Sequence, residues 1–185
     1  RNDHFHAGRH QSAGGWVTAM PVTPFHFGAG LAAKAALPAR FGLLAFCTAN
    51  VLIDIEPLYY ALTRQYPLHR FFHTLVGATL PALVTIILFT ITAHLLKRWR
   101  INFNWLTNEF HPASIWLGAL SGAYSHILLD SLVHEDMHPL SPFTQFNPFS
   151  GNFPRFSVET ILVFMGLLGI FLIAIRFVFH KRAIW

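Results

Sequence analysis

The sequence predicts an all-α, polytopic membrane helix bundle: an N-terminal helical hairpin followed by three transmembrane helices. Three observations carry this. Of 185 residues, 54% are hydrophobic and 11% charged, against roughly 25% charged in an average soluble domain. Mean hydropathy is +0.45. The apolar residues are gathered into runs near the ~20 residues that cross ~30 Å of hydrocarbon as a helix. Finally, these runs end in basic and aromatic clusters such as Lys97-Arg98-Trp99-Arg100, the pattern of cytoplasmic interface anchors.

Residues 1–19 are polar, glycine-rich and unpatterned, and Met20-Pro21-Val22-Thr23-Pro24 reads as a start. The expectation is an extension outside the fold (upstream translation or an expression remnant), followed by a single membrane-embedded domain over 20–185. The first apolar region, 25–53, is interrupted at Pro38-Ala39-Arg40. Each half is short for a span. Proline breaks the helical ladder and disfavours helix in the residue before it, so the chain is expected to turn there. The second region, 71–96, is the clearest span. The third, 113–133, carries Gly118, Ser121, Gly122 and Ser125, small residues that let helices approach closely in a membrane. The fourth, 158–179, is strongly apolar and runs into His180-Lys181-Arg182. The segment 134–156 is punctuated by Pro, Phe and Asn and is expected to be a loop.

The net charge of +5 and pI near 9.9 raise the question of nucleic acid. Many of the bases flank apolar runs instead, and no basic stripe is interleaved with aromatics, so nucleic acid is set aside. The single Cys47 excludes an intramolecular disulfide and a cysteine zinc site. Basic ends orient the chain. The ends of the second and fourth spans face the cytoplasm, and 53–70 and 134–156 share the opposite face.

That orientation collects the acids. Asp3 lies in the extension; of the rest, Glu109 alone falls on the cytoplasmic side, while Asp54, Glu56, Asp130, Glu135, Asp136 and Glu159 fall opposite. His126 and Asp130 stand at i, i+4, one turn apart on one face of an apolar span, where ionisable residues are functional by default. Imidazole nitrogen and carboxylate oxygen together suit zinc, iron or manganese. His69 and His73 form a second i, i+4 pair, expected at the start of the second span. Asp54 and Glu56 close the first region. His134 stands one turn beyond Asp130 and extends its stripe, and His26 falls at the same face. Glu135 and Asp136 read as solvated loop charges. Arg64, Arg70 and Arg155 lie on that face too, where arginine could clamp a phosphate. The bland alternative for each pair is a hydrogen bond that fixes packing.

The order of an early His26, then Asp54-Ile55-Glu56-Pro57, His69-Arg70-Phe71-Phe72-His73-Thr74, and Ser125-His126-Ile127-Leu128-Leu129-Asp130 followed by Pro139-Leu140-Ser141-Pro142 resembles the LexA-regulated, membrane-bound metal-dependent hydrolases. It is similar, more distantly, to the zinc-dependent phospholipase C and S1/P1 nuclease group. The resemblance implies His26, Asp54, His69, His126, Asp130 and His134 as ligands of a divalent metal, zinc first, with manganese or iron also fitting. His73 is added from its pairing with His69. The expected function is hydrolysis of a phosphoester or lipid-like small molecule, with Asp54, Asp130 or Glu56 as ligand or general base and Arg70 on the substrate. The expected setting is the lipid bilayer, a bacterial inner membrane with the site on its non-cytoplasmic side. The alternatives are a metal or proton transporter and a structural membrane protein without catalysis.

Overall fold

The computed structural model describes residues 23–101, 108–150 and 154–179. The expected extension over 1–19 and the basic pair Lys181 and Arg182 lie outside them. The described residues form five helices and no strand: α1 Thr23–Ala36, α2 Leu43–Leu62, α3 Thr79–Arg98, α4 Pro112–Val133 and α5 Arg155–Phe179.

The first apolar region does turn at Pro38. The last turn of α1 closes through Leu37 N–H on the Ala33 carbonyl, and the chain re-enters α2 after Phe41 and Gly42. The second arm is longer than expected. It runs through Asp54, Glu56 and Pro57 to Leu62. A proline removes one N–H but does not unwind a helix whose packed face lies on both sides of it, and Pro57 is buried. The helix ends instead at Thr63 and Arg64, where φ turns positive. With 20 residues α2 is itself long and apolar enough to cross a membrane, as are α3 and α5.

A second boundary also moves. The expected span from 71 begins as a helix at Thr79, and the preceding segment is a succession of turns. Its backbone is held from outside: Phe71 and Phe72 N–H donate to Glu56, Leu68 and His69 N–H to Asp136, and Leu75 N–H to the Pro139 carbonyl. Backbone groups satisfied by other segments have no need of the helical ladder. His69 and His73 are therefore loop residues, not a pair on one helix face.

α4 is the hub and contacts each of the other four helices. Apart from Ile115 and Ile127, its buried positions are small or polar: Ser114, Gly118, Ala119, Gly122, Ala123, His126 and Asp130 among them. A Cβ on Gly122 would stand 2.5 Å from the Phe46 carbonyl oxygen of α2, and one on Gly118 would overlap the Gly42 carbonyl. These glycines let the α2 and α4 backbones touch. The core beneath the site is Ala49, Ile53, Ala78, Ala82, Ala123, Ile127 and Met137. α1 packs along α5. Large apolar side chains point outward on α3 (Leu83, Ile87, Ile91) and α5 (Phe164, Leu168, Phe171), which suits a lipid solvent. At the far end of the bundle Lys34 pairs with Glu109, both buried, and Lys34 also donates to the Phe41 carbonyl.

Candidate metal centre

At the other end, three elements deliver four side chains to one point. α4 supplies His126 and Asp130, α2 supplies Asp54, and the turn-rich segment before α3 supplies His73. His126 Nε2 lies 3.2 Å from Asp54 Oδ1 and 3.1 Å from Asp130 Oδ2. His73 Nε2 lies 3.7 Å from Asp54 Oδ1 and 3.6 Å from Asp130 Oδ2. The four donor atoms all fall within 4.8 Å of one another. Donors at the corners of a tetrahedron with arms of about 2.0–2.2 Å stand roughly 3.3–3.6 Å apart, so the spacing fits. The two histidine Nε2 atoms and Asp130 Oδ2 are buried without a hydrogen-bond partner despite this closeness. Buried polar groups in native proteins are rarely left so, and a cation among them would satisfy all three.

The ring tautomers support this. Asn50 Nδ2 donates to the Phe46 and Gly122 carbonyls, so its Oδ1 accepts at 3.0 Å from His126 Nδ1. Nδ1 of His126 thus carries a hydrogen, which leaves Nε2 of the neutral ring a lone pair toward the carboxylates. Glu56 Oε2 stands 3.5 Å behind His73 Nδ1, while its two oxygens hold the Phe71 and Phe72 backbone. A partner such as Asn50 fixes the orientation of a ligating histidine.

A second group shares Asp130 with the first: His69, Asp130 and His134. His69 Nδ1 donates to Asp136 Oδ1 at 2.8 Å, and its Nε2 is buried and unpartnered. Asp136 is therefore no solvated loop charge. Burial opposes its ionised form, but the His69 ring N–H and the Leu68 and His69 backbone N–H groups outweigh that and bring its pKa down to about 2. His134 caps α4, and its ring lies against that of His69 with centroids 4.4 Å apart. Burial lowers its pKa, Asp130 opposes, and His69 and Arg155 add to the lowering, to about 4. At neutral pH His134 keeps a lone pair, as a ligand requires. His26 of α1 places Nε2 3.0 Å from Asp130 Oδ1 and stacks on His126.

All seven expected metal ligands (His26, Asp54, His69, His73, His126, Asp130 and His134) thus meet in one buried cluster, which could hold a metal ion. Of the other expected site residues, Glu56 sits behind His73, and Arg70 stands off the cluster. The Arg70 guanidinium lies 3.6 Å over the Tyr60 ring and donates to the Pro67 carbonyl. It lines a cavity of about 420 Å³ that begins at His69 and runs between Phe71, Val76, His138 and Pro142. A chamber of about 20 Å³, room for a single water, reaches His26, Asp130 and His134 past the Arg155–Glu159 pair.

Two supporting residues escape a reading of the sequence. Asn50 gave a signal, an amide one turn before Asp54 in an apolar run. Asp136 gave none, since loop acids are usually solvated. No family model matches the chain, and no curated protein or solved structure matches it either.

Proposed function

We propose that this protein is a membrane-bound, metal-dependent hydrolase that cleaves a phosphoester of a lipid-like molecule at the non-cytoplasmic membrane face. The observation that carries the reading is the convergence of His73 Nε2, His126 Nε2, Asp54 Oδ1 and Asp130 Oδ2 at tetrahedral spacing, with three of these atoms lacking any hydrogen bond. The donor set of nitrogen and carboxylate oxygen favours zinc, with manganese or iron next. Asp130 belongs to both groups and would serve as a ligand in either. A divalent cation held there would supply Lewis acidity, lowering the pKa of water and polarising a phosphoryl oxygen.

The chain's own residues do the rest. Asn50 and Asp136 hold His126 and His69 in position, and Glu56 holds the backbone of the loop that carries His73. The cavity beside His69 gives an apolar wall for a lipid chain and Arg70 for an anionic group. Phe71 in the cavity wall is exposed, as are Phe143 and Phe146, which neighbour the wall residues Pro142 and Gln145 in sequence, and this suits the headgroup layer. The orientation rests on Lys97, Arg98 and Arg176 in the last turns of α3 and α5, at the end of the bundle away from the site. The likeness to membrane-bound metal-dependent hydrolases in motif order agrees with this reading.

Elemental analysis of the detergent-purified protein beside the double variant His126→Ala/Asp130→Ala tests it. One to two equivalents of zinc, manganese or iron in the parent, absent from the variant, together with phosphodiester cleavage by the parent alone, is the expected result. A metal-free parent, beside a variant that remains folded, leaves those residues a packing role and ends the hydrolase reading.

A further inference from the structure

We propose that His138 donates the proton to the departing alcohol, a role that rests on the phosphoester-hydrolase reading above. His138 follows α4 on the loop that forms one wall of the cavity beside His69 and Arg70. Its Nδ1 stands 2.7 Å from the Gln145 carbonyl oxygen. A carbonyl oxygen only accepts, so Nδ1 bears the hydrogen. Nε2 is then a lone pair in the neutral ring and a second N–H in the charged one. A third group thus orients the ring by one nitrogen and leaves the other for proton transfer. The neighbouring groups cannot take this part. His69 commits Nδ1 to Asp136 and turns Nε2 into the buried cluster, and the Arg70 guanidinium holds its protons too tightly to release one.

The cavity receives the departing half of a phosphodiester whose phosphoryl group meets the buried cluster. The oxygen of a water forms the new bond to phosphorus. The P–O bond to the departing alcohol breaks, its electron pair goes to the alcohol oxygen, and that oxygen takes the proton from His138 Nε2. The ring keeps its Nδ1–H and ends neutral. The proton released by the attacking water passes to solvent, and the ring takes one back before the next turnover. Diester and water become monoester and alcohol.

The test uses the zinc-loaded protein with methyl aryl phosphates whose departing group is p-nitrophenol or phenol. His138→Asn keeps an amide donor near Nδ1 and removes Nε2, while His138→Ala removes both. Rates are taken per bound zinc. Both variants should lower kcat on the phenyl ester by about 10²-fold or more, the range of general acid catalysis, and on the p-nitrophenyl ester by less than about tenfold, since that group leaves without a proton. Nitrogen-15 histidine spectra of the parent minus His138→Asn should show the Nδ1–H tautomer. Equal losses on the two esters, an asparagine variant as active as the parent, or an Nε2–H tautomer overturns the assignment. A parent that binds zinc but cleaves neither ester overturns the hydrolase reading and this role with it, and the spectrum still reports separately whether the ring is held as described.

Discussion

At the scale of single residues, the partners behind the donor atoms decide what the histidines can do. A His–carboxylate contact deep in a helix bundle is consistent with an ordinary hydrogen bond, but here one nitrogen of each ring is already committed elsewhere. His126 gives its Nδ1–H to Asn50 and His69 gives its own to Asp136, so in the neutral rings each Nε2 is left to face Asp130 and its neighbours. The prediction at this scale concerns Asp136. Asp136→Asn should weaken binding of one metal equivalent by about 10- to 100-fold, as loss of such supporting partners typically does, and leave the other equivalent in place. Competition against a zinc chelator resolves the two. An unchanged binding curve would mean that Asp136 serves the loop fold alone.

At the scale of elements, the site depends on how closely helices approach. His126 and Asp130 come from α4 and Asp54 from α2, and Gly118 and Gly122 set the distance between those backbones. The loop before α3 carries His69 and His73 and is moored by Glu56, Asp136 and the Pro139 carbonyl, so it is a fixed part of the site. Gly122→Ala forces a methyl onto the Phe46 carbonyl. It should destabilise the bundle by about 1–3 kcal/mol, the usual cost of overpacking, and lower metal content in parallel, because α4 must move off α2. Thermal unfolding and metal analysis on one preparation check this. A variant as stable and as metal-rich as the parent would show that the helices tolerate greater separation.

At the scale of the whole molecule, the two ends of the bundle carry different polar groups. One holds the cluster, and the other holds the buried Lys34–Glu109 pair, where Glu109 also accepts the Leu44 N–H at the start of α2. This pair ties α1, α2 and the segment before α4 together far from the site. Lys34→Ala leaves Glu109 buried and unpaired, a change that costs about 3–5 kcal/mol in known cases. Lys34→Met/Glu109→Gln, which removes both charges and keeps the acceptor for Leu44, should recover most of that loss. Unfolding in detergent measures both variants. Metal content should stay at the parent level in the double variant, since its changes lie at the end opposite the cluster.

The sequence by itself determined the fold class and the turn at Pro38, and it singled out the histidines and carboxylates that the fold gathers. These depend on local quantities: the length of an apolar run, a missing N–H at proline, and the rarity of His and Asp inside apolar segments. Tertiary structure decided the rest. It carried α2 through Pro57, because packing on both sides of a proline outweighs one lost hydrogen bond. It made His69 and His73 loop residues, because carboxylates distant in sequence satisfy the backbone there. It turned α4, with its small and polar residues, into the central helix, and gave Asp136 and Asn50 their partners. A side chain's hydrogen-bond partner is a fact about two segments at once, and no run of residues records it.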